Sequence, residues 1–255
     1  MQYASFWKET LKELVSSVQS WWYWLAIFSF LHVGVSVLID QLPWSKDNNL
    51  IADPAVIIIS IIEKYILCVA YLRYASAPRS MIFNTRRFLL FSGTVLVKNA
   101  GFYVTQVGLQ LTILYYENNF VVALIAIMLS GFFAIMWGIL IWPRCAVIEP
   151  IAILGGPQVL KTSWVVTEGQ KGRIVLGWIM LTLILSAPLT VWYFQYWLSI
   201  VTSHVQSVAY GLILPTLSNP ALLAARSIES TLGTLASMVY SCTVYRILND
   251  EMTAR

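Results

Sequence analysis

The sequence predicts an all-α, polytopic membrane protein of about six transmembrane helices, with an N-terminal amphipathic helix and a cytoplasmic interfacial helix between spans four and five. Three observations carry this. Of 255 residues, 58% are hydrophobic and only 11% charged, less than half the roughly 25% of a soluble domain. The apolar excess is spread over segments long enough to cross a hydrocarbon layer, for which about 20 apolar residues suffice. Lysines and arginines collect on alternate connections between those segments, as they do when basic loops are retained on one side of a membrane.

Residues 1–20 are expected to form an amphipathic interfacial helix. Phe6, Trp7, Leu11, Leu14, Val15 and Val18 recur at three- and four-residue spacing, and Lys8, Glu9, Lys12 and Glu13 fill the other face. Those charges, with no small-x-small site after a short apolar core, argue against a secretory signal peptide. The membrane domain covers 21–248. Its first span, 21–39, opens on Trp21-Trp22-Tyr23-Trp24, side chains suited to the headgroup zone, and stops at Asp40. The second, 54–74, begins with Pro54, a good first helical residue. The third, 88–115, is long enough to tilt, and Glu117-Asn118-Asn119 turns the chain into the fourth, 120–141. The fifth is 174–200 and the sixth 220–245, with 249–255 as a cytoplasmic tail. Between the last two, 201–219 is apolar but broken by serines, Pro215 and Asn219, which suits a membrane-hugging loop or a re-entrant piece.

Orientation follows from the basic residues. Lys8, Lys12, Arg73, Arg79, Arg86, Arg87, Arg144, Lys161, Lys171, Arg173, Arg246 and Arg255 fall on one side, Lys46 alone on the other. Both termini are therefore expected in the cytoplasm, which requires an even number of spans. Small residues mark seams for close helix packing: Gly101 and Gly108, Gly131 and Gly138, and the stripe Ser230, Thr234, Ser237 and Ser241.

Residues 142–173 read WPRCAVIEPIAILGGPQVLKTSWVVTEGQKGR. Gly155-Gly156-Pro157 predicts a turn into a short helix with Val159, Leu160 and Trp164 on one face, and Gly169 is placed to end it in a left-handed conformation. That helix is expected to lie on the membrane and to feed the fifth span. Pro143, Glu149 and the run Ser163-Trp164-Val165-Val166-Thr167-Glu168-Gly169 resemble the bacterial inner-membrane proteins grouped around the membrane domain of glycerophosphoryl diester phosphodiesterases, including the YciC-type proteins. Val244-Tyr245-Arg246-Ile247-Leu248 resembles the end of that family's last helix. The resemblance covers the second half of the chain, and the first half by topology alone. It implies an all-helical domain of the cell inner membrane and little chemistry, because hydrolysis in those phosphodiesterases resides in a separate soluble barrel. Phosphodiesterase activity is not carried over; the motif residues Ser163, Trp164, Thr167 and Gly169 are.

The remaining chemistry is sparse. A net charge of +4 without a basic block of five gives no support to nucleic-acid binding. Cys68, Cys145 and Cys242 lack CxxC spacing and read as small apolar residues in a reduced setting, so no metal is expected. His32, mid-span, and His204, beyond the fifth span, sit at different depths and do not suit a bis-histidine haem; no cofactor is expected. Nucleophile, zinc and nucleotide motifs are missing, so no catalytic residue is assigned and the chain is not expected to be an enzyme.

Five charges inside spans, Glu63, Lys64, Lys98, Arg226 and Glu229, form the candidate intramembrane polar site. An unpaired charge at a helix centre costs about 2.5–3.5 kcal/mol on insertion scales, so these groups must face one another, water or a partner. Internal ion pairs fixing helix register are favoured over a ligand cavity, because no matched pair of interrupted spans accompanies the charges. Arg79, Arg86, Arg87, Lys161, Lys171 and Arg173 are the candidates for contact with anionic lipid headgroups or with other membrane-protein subunits. The function expected is structural or accessory, in a membrane complex or in envelope maintenance; transport of a small molecule, ion or lipid through the buried charges is the alternative.

Overall fold

Each long apolar stretch folds as one long helix. The computed structural model describes residues 5–40, 52–74, 85–116, 120–155, 158–203 and 220–253. In chain order α1 is Ser5–Asp40, α2 Ala52–Tyr74, α3 Thr85–Tyr116 and α4 Phe120–Leu140. A 3-10 turn at Trp142–Cys145 leads to two short helices, α5 (Ile148–Leu154) and α6 (Val159–Val166). Then come α7 (Lys171–Ser203) and α8 (Pro220–Thr253). The described residues contain no strand. Six of these helices are 21 to 36 residues long, and each takes up one of the six apolar stretches, α1 and α8 running well beyond theirs. Of residues 201–219, where a loop and a re-entrant piece both fit, 201–203 continue α7 and 204–219 lie outside the described residues.

Only part of this meets the demands of a bilayer by length and composition alone. Among the described residues, Thr85–Thr105 of α3 is the one helical stretch both long and apolar enough to cross by itself. Leu124–Leu140 with Trp142–Leu154 would add a second, as one bent unit. In α2 the adjacent Glu63 and Lys64 interrupt the apolar run at mid-helix.

Two expected boundaries are corrected. The amphipathic segment is not a separate surface helix, because α1 runs unbroken through residue 20 for 36 residues, about 54 Å at 1.5 Å per residue. Phe6, Thr10, Leu14 and Ser17 follow one another at helical spacing and are buried. Nearby, Glu13 accepts a hydrogen bond from Thr243 at 3.0 Å and pairs with Arg246, both on α8. Tertiary packing has thus claimed a face that amphipathicity alone assigned to the membrane surface.

The segment between α4 and α7 is not a single interfacial helix either. Every residue of α5 from Ile148 to Ile153 is buried, so this helix plugs the bundle. Gly155 ends it at φ +79, Gln158 opens α6 at φ +50, and the left-handed stop expected at Gly169 is present at φ +73. On α6, Val159, Ser163 and Val166 point inward while Leu160, Trp164 and Val165 are exposed. Val159 therefore parts from the face it was expected to share with Leu160 and Trp164.

The C-terminal half of α8 is the axis of the core. It packs along α1 and α2 and receives α5, while α3 packs on α4 and α5. Leu235, Met238, Val239, Tyr240 and Val244 are essentially inaccessible. Tyr240 donates to the carbonyl of Ile174 at 2.5 Å, and its ring continues an aromatic chain through Trp178 to Trp142. Cys68 of α2 faces Cys242 of α8, with sulfurs 3.7 Å apart. Copper-phenanthroline oxidation is expected to join these two thiols, since a disulfide needs about 2.05 Å, and to leave Cys145 reduced. Peptide mapping under non-reducing conditions reads the link; a Cys68–Cys145 product would contradict the packing of α2 on α8.

Candidate functional site

Glu149 is the only charged residue of α5, and it is wholly buried. Helix α5 carries it into the space between α2, α3 and α8, where two lysines converge on it. Lys64 of α2 lies 2.6 Å from its Oε1 as an ion pair, off hydrogen-bond alignment. Lys98 of α3 donates to its Oε2 at 2.7 Å. Two serines of α8 complete the cluster: Ser241 donates to Glu149 Oε2 at 2.6 Å and accepts from Lys98 at 2.9 Å, and Ser237 accepts from Lys64 at 3.0 Å. The Lys98 ammonium also lies 5.4 Å from the centre of the Trp142 ring. Glu63, next to Lys64, is buried as well, so the formal charges of the four groups cancel. Each ammonium has thus exchanged water for a carboxylate oxygen and a hydroxyl, the condition under which buried charge is tolerated.

Beside this cluster lies a polar recess of about 270 Å³, lined by Ser60, Lys64, Asn99, Tyr103, Thr234 and Ser237 among others. Lys64 therefore borders both the recess and Glu149, whereas Lys98 and Glu149 are sealed at 1% and 0% side-chain exposure.

The Ser-Trp-x-x-Thr-x-Gly run forms a fastening. Ser163 donates to the carbonyl of Arg144 at 2.6 Å, tying α6 to the 3-10 turn that follows α4. The Arg144 guanidinium stacks 5.4 Å from the centre of the Trp164 ring and donates to the Trp164 carbonyl at 3.3 Å. Thr167 donates back to the Ser163 carbonyl at 2.8 Å, and Gly169 then turns the chain toward α7. These contacts set the course of the segment that carries Glu149.

No family model, curated protein or solved structure matches this chain. The site is therefore read from its own geometry. Of the five expected intramembrane charges, Lys64 and Lys98 meet on one carboxylate and Glu63 is buried next to Lys64. Arg226 and Glu229 fall on α8, and their side chains lie outside the described residues. The sequence pattern puts Glu149, the partner that unites the lysines, in a cytoplasmic connection. Its signal was available: a lone acid inside the apolar run AVIEPIAIL must be paired if the run is buried.

The basic candidates divide. Arg86 and Lys161 are exposed, Arg87 and Lys171 half-buried, and Arg79 lies outside the described residues. Arg173 is corrected: it is 7% exposed, pairs with both oxygens of Glu251 at 2.8 and 3.1 Å, and lies 4.1 Å from the centre of the Phe6 ring. It binds the ends of α1, α7 and α8 together and is not placed to meet a headgroup.

Proposed function

We infer that the chain is a non-enzymatic, multi-pass protein of the bacterial inner membrane, with six spans and both termini cytoplasmic, acting as a structural or accessory component of a membrane complex or of envelope maintenance. One observation carries the functional part. Glu149, clamped by Lys64 and Lys98 and covered by Ser241, presents no open side to a substrate. Such a cluster fixes the positions of four helices instead of turning anything over. The membrane part is supported by outward faces that water would not tolerate. On α4, Leu124, Met128, Leu129, Phe132, Ile135 and Ile139 are all at least 45% exposed, and the helix carries no charge from Phe120 to Leu140. Exposed apolar surface on this scale needs lipid or a protein partner. The resemblance to the phosphodiesterase membrane-domain group belongs to the same proposal, as do anionic headgroups and neighbouring subunits as partners.

Purification of the tagged full chain from native membranes in mild detergent tests the accessory role. A second polypeptide in fixed ratio is expected; a chain that is always alone and monomeric counts against it. A second reading, transport of a small molecule, ion or lipid, is favoured by the recess beside Lys64. Under it, neutralising Lys64, Lys98 or Glu229 would abolish uptake into proteoliposomes. Flat uptake by the unaltered protein across candidate ions and lipids would remove that reading.

A further inference from the structure

Six polar side chains border the recess of about 270 Å³ in pairs, each pair about one turn apart on a different helix: Ser60 and Lys64 on α2, Asn99 and Tyr103 on α3, Thr234 and Ser237 on α8. That spacing puts both members of a pair on one helix face, so three helices turn a polar face to the same space. Gly233, which also lines it, is exposed, and an added Cβ there would meet nothing within 4 Å. All three helices place the recess on the same side of the charge cluster. Ser60 precedes Lys64 on α2, Thr234 precedes Ser237 and Ser241 on α8, and Asn99 and Tyr103 follow Lys98 on the oppositely directed α3. In the six-span arrangement proposed above, each of these directions leads to the outer face of the membrane. The inner side is closed by Lys98 and Glu149, sealed at 1% and 0% side-chain exposure.

We propose that this recess is a binding site for a short, uncharged polyol admitted from the outer side of the membrane, with the Lys64–Glu149 ion pair as its floor. The inference rests on the transport reading above, for which it names the substrate class, and it requires binding alone. Hydrogen-bonding capacity selects the ligand. The hydroxyls of Ser60, Tyr103, Thr234 and Ser237 each donate and accept, as the Asn99 amide does, and a polyol offers the same two-way capacity along its whole length. Charge agrees with this choice. The Lys64 ammonium already meets Glu149 at 2.6 Å and donates to Ser237 at 3.0 Å, so the floor offers a neutralised pair where an ionic ligand would need a free charge. Size limits the ligand to a few carbons, since about 270 Å³ falls below the roughly 300–1,000 Å³ of pockets for drug-sized molecules. A lipid tail in the same space would leave these polar groups without partners, at a cost in free energy for each.

The test is saturation-transfer NMR of the full chain in deuterated detergent, with xylitol as the probe. Saturable transfer to xylitol is expected. Ser60→Ala and Thr234→Val are each expected to weaken it about fivefold, the loss of one net hydrogen bond. Gly233→Leu adds a side chain at the open rim and is expected to remove binding while the helical circular dichroism stays unchanged. No transfer to xylitol would mean a recess that holds water alone, and full binding by all three variants would place the polyol elsewhere; either overturns the site. Displacement of xylitol by equimolar acetate or tetramethylammonium would mark an ionic site and overturn it equally. Entry is read from Thr234→Cys in right-side-out vesicles: a membrane-impermeant methanethiosulfonate is expected to modify it, and xylitol to slow the reaction. Modification in inverted vesicles alone would overturn the outer entrance. Saturable binding with flat uptake into proteoliposomes would support the site and remove only the transport reading.

Discussion

Glu149→Gln is expected to destabilise the bundle by about 3–5 kcal/mol, the cost of breaking a buried ion pair and leaving the other charge uncompensated. The effect should sit at the upper end because one carboxylate serves two ammonium groups, Lys64 at 2.6 Å and Lys98 at 2.7 Å. Gln keeps the shape and removes the charge that both lysines need. Unfolding in mixed detergent micelles, followed by helical circular dichroism, measures it. Replacing Glu63, Lys64, Lys98 and Glu149 together by Met should restore most of the loss, because a buried ion cluster exchanged as a whole for apolar groups of similar size is often neutral. A single-variant change under 1 kcal/mol would mean that the cluster does not hold the helices.

The long helices were legible because twenty-residue apolar runs leave few alternatives. The predicted ends at 74, 115 and 141 fall within one residue of the ends of α2, α3 and α4. What was not legible depends on which surface packs on which. The α1 face holding Phe6, Thr10 and Leu14 has the pattern of an interfacial helix and of a packed one alike. Only Glu13 meeting Thr243 and Arg246, some 230 residues away in sequence, distinguishes them. Helix α5 was invisible for a related reason: seven residues carry too little periodicity to announce a helix, and Pro150 in its first turn reads equally as a loop residue. Recognising the lysines as a site required no fold, since charges in apolar runs stand out. Naming Glu149 as their partner required knowing that the 142–173 segment folds back into the bundle. The serine stripe lay between these cases. Ser237 and Ser241 stand out in the sequence for their small size, and it is their hydroxyls that contact Lys64 and Lys98.

Gly101→Ala should cost about 1–3 kcal/mol, the range for forcing extra atoms into a packed contact, although Ala in a helix interior otherwise gains about 1 kcal/mol over Gly. The reason is the Trp137 ring of α4, which lies against the α3 backbone at Gly101, closer than any real Cβ would allow. Of the four glycines on the α3–α4 seams it alone is so placed. An added Cβ at Gly108 or Gly138 would meet a neighbour at 3.8 or 3.7 Å, and at Gly131 nothing within 4 Å. Gly131→Ala should therefore be neutral or stabilising, and the two variants together separate a close-packed seam from a general intolerance of α4. Displacing Trp137 has a further consequence. Its indole N–H donates to the carbonyl of Lys98 at 3.0 Å, one residue whose side chain reaches Glu149. The α3–α4 seam and the charge cluster thus share a backbone position, and their variants should couple. The combined loss for Gly101→Ala with Glu149→Gln should differ from the sum of the single losses by more than about 0.5 kcal/mol, the margin within which independent sites add. Strict additivity would mean that α4 packs on the bundle without bearing on the ion pairs, and the clamp around Glu149 would then involve α2, α3, α5 and α8 alone.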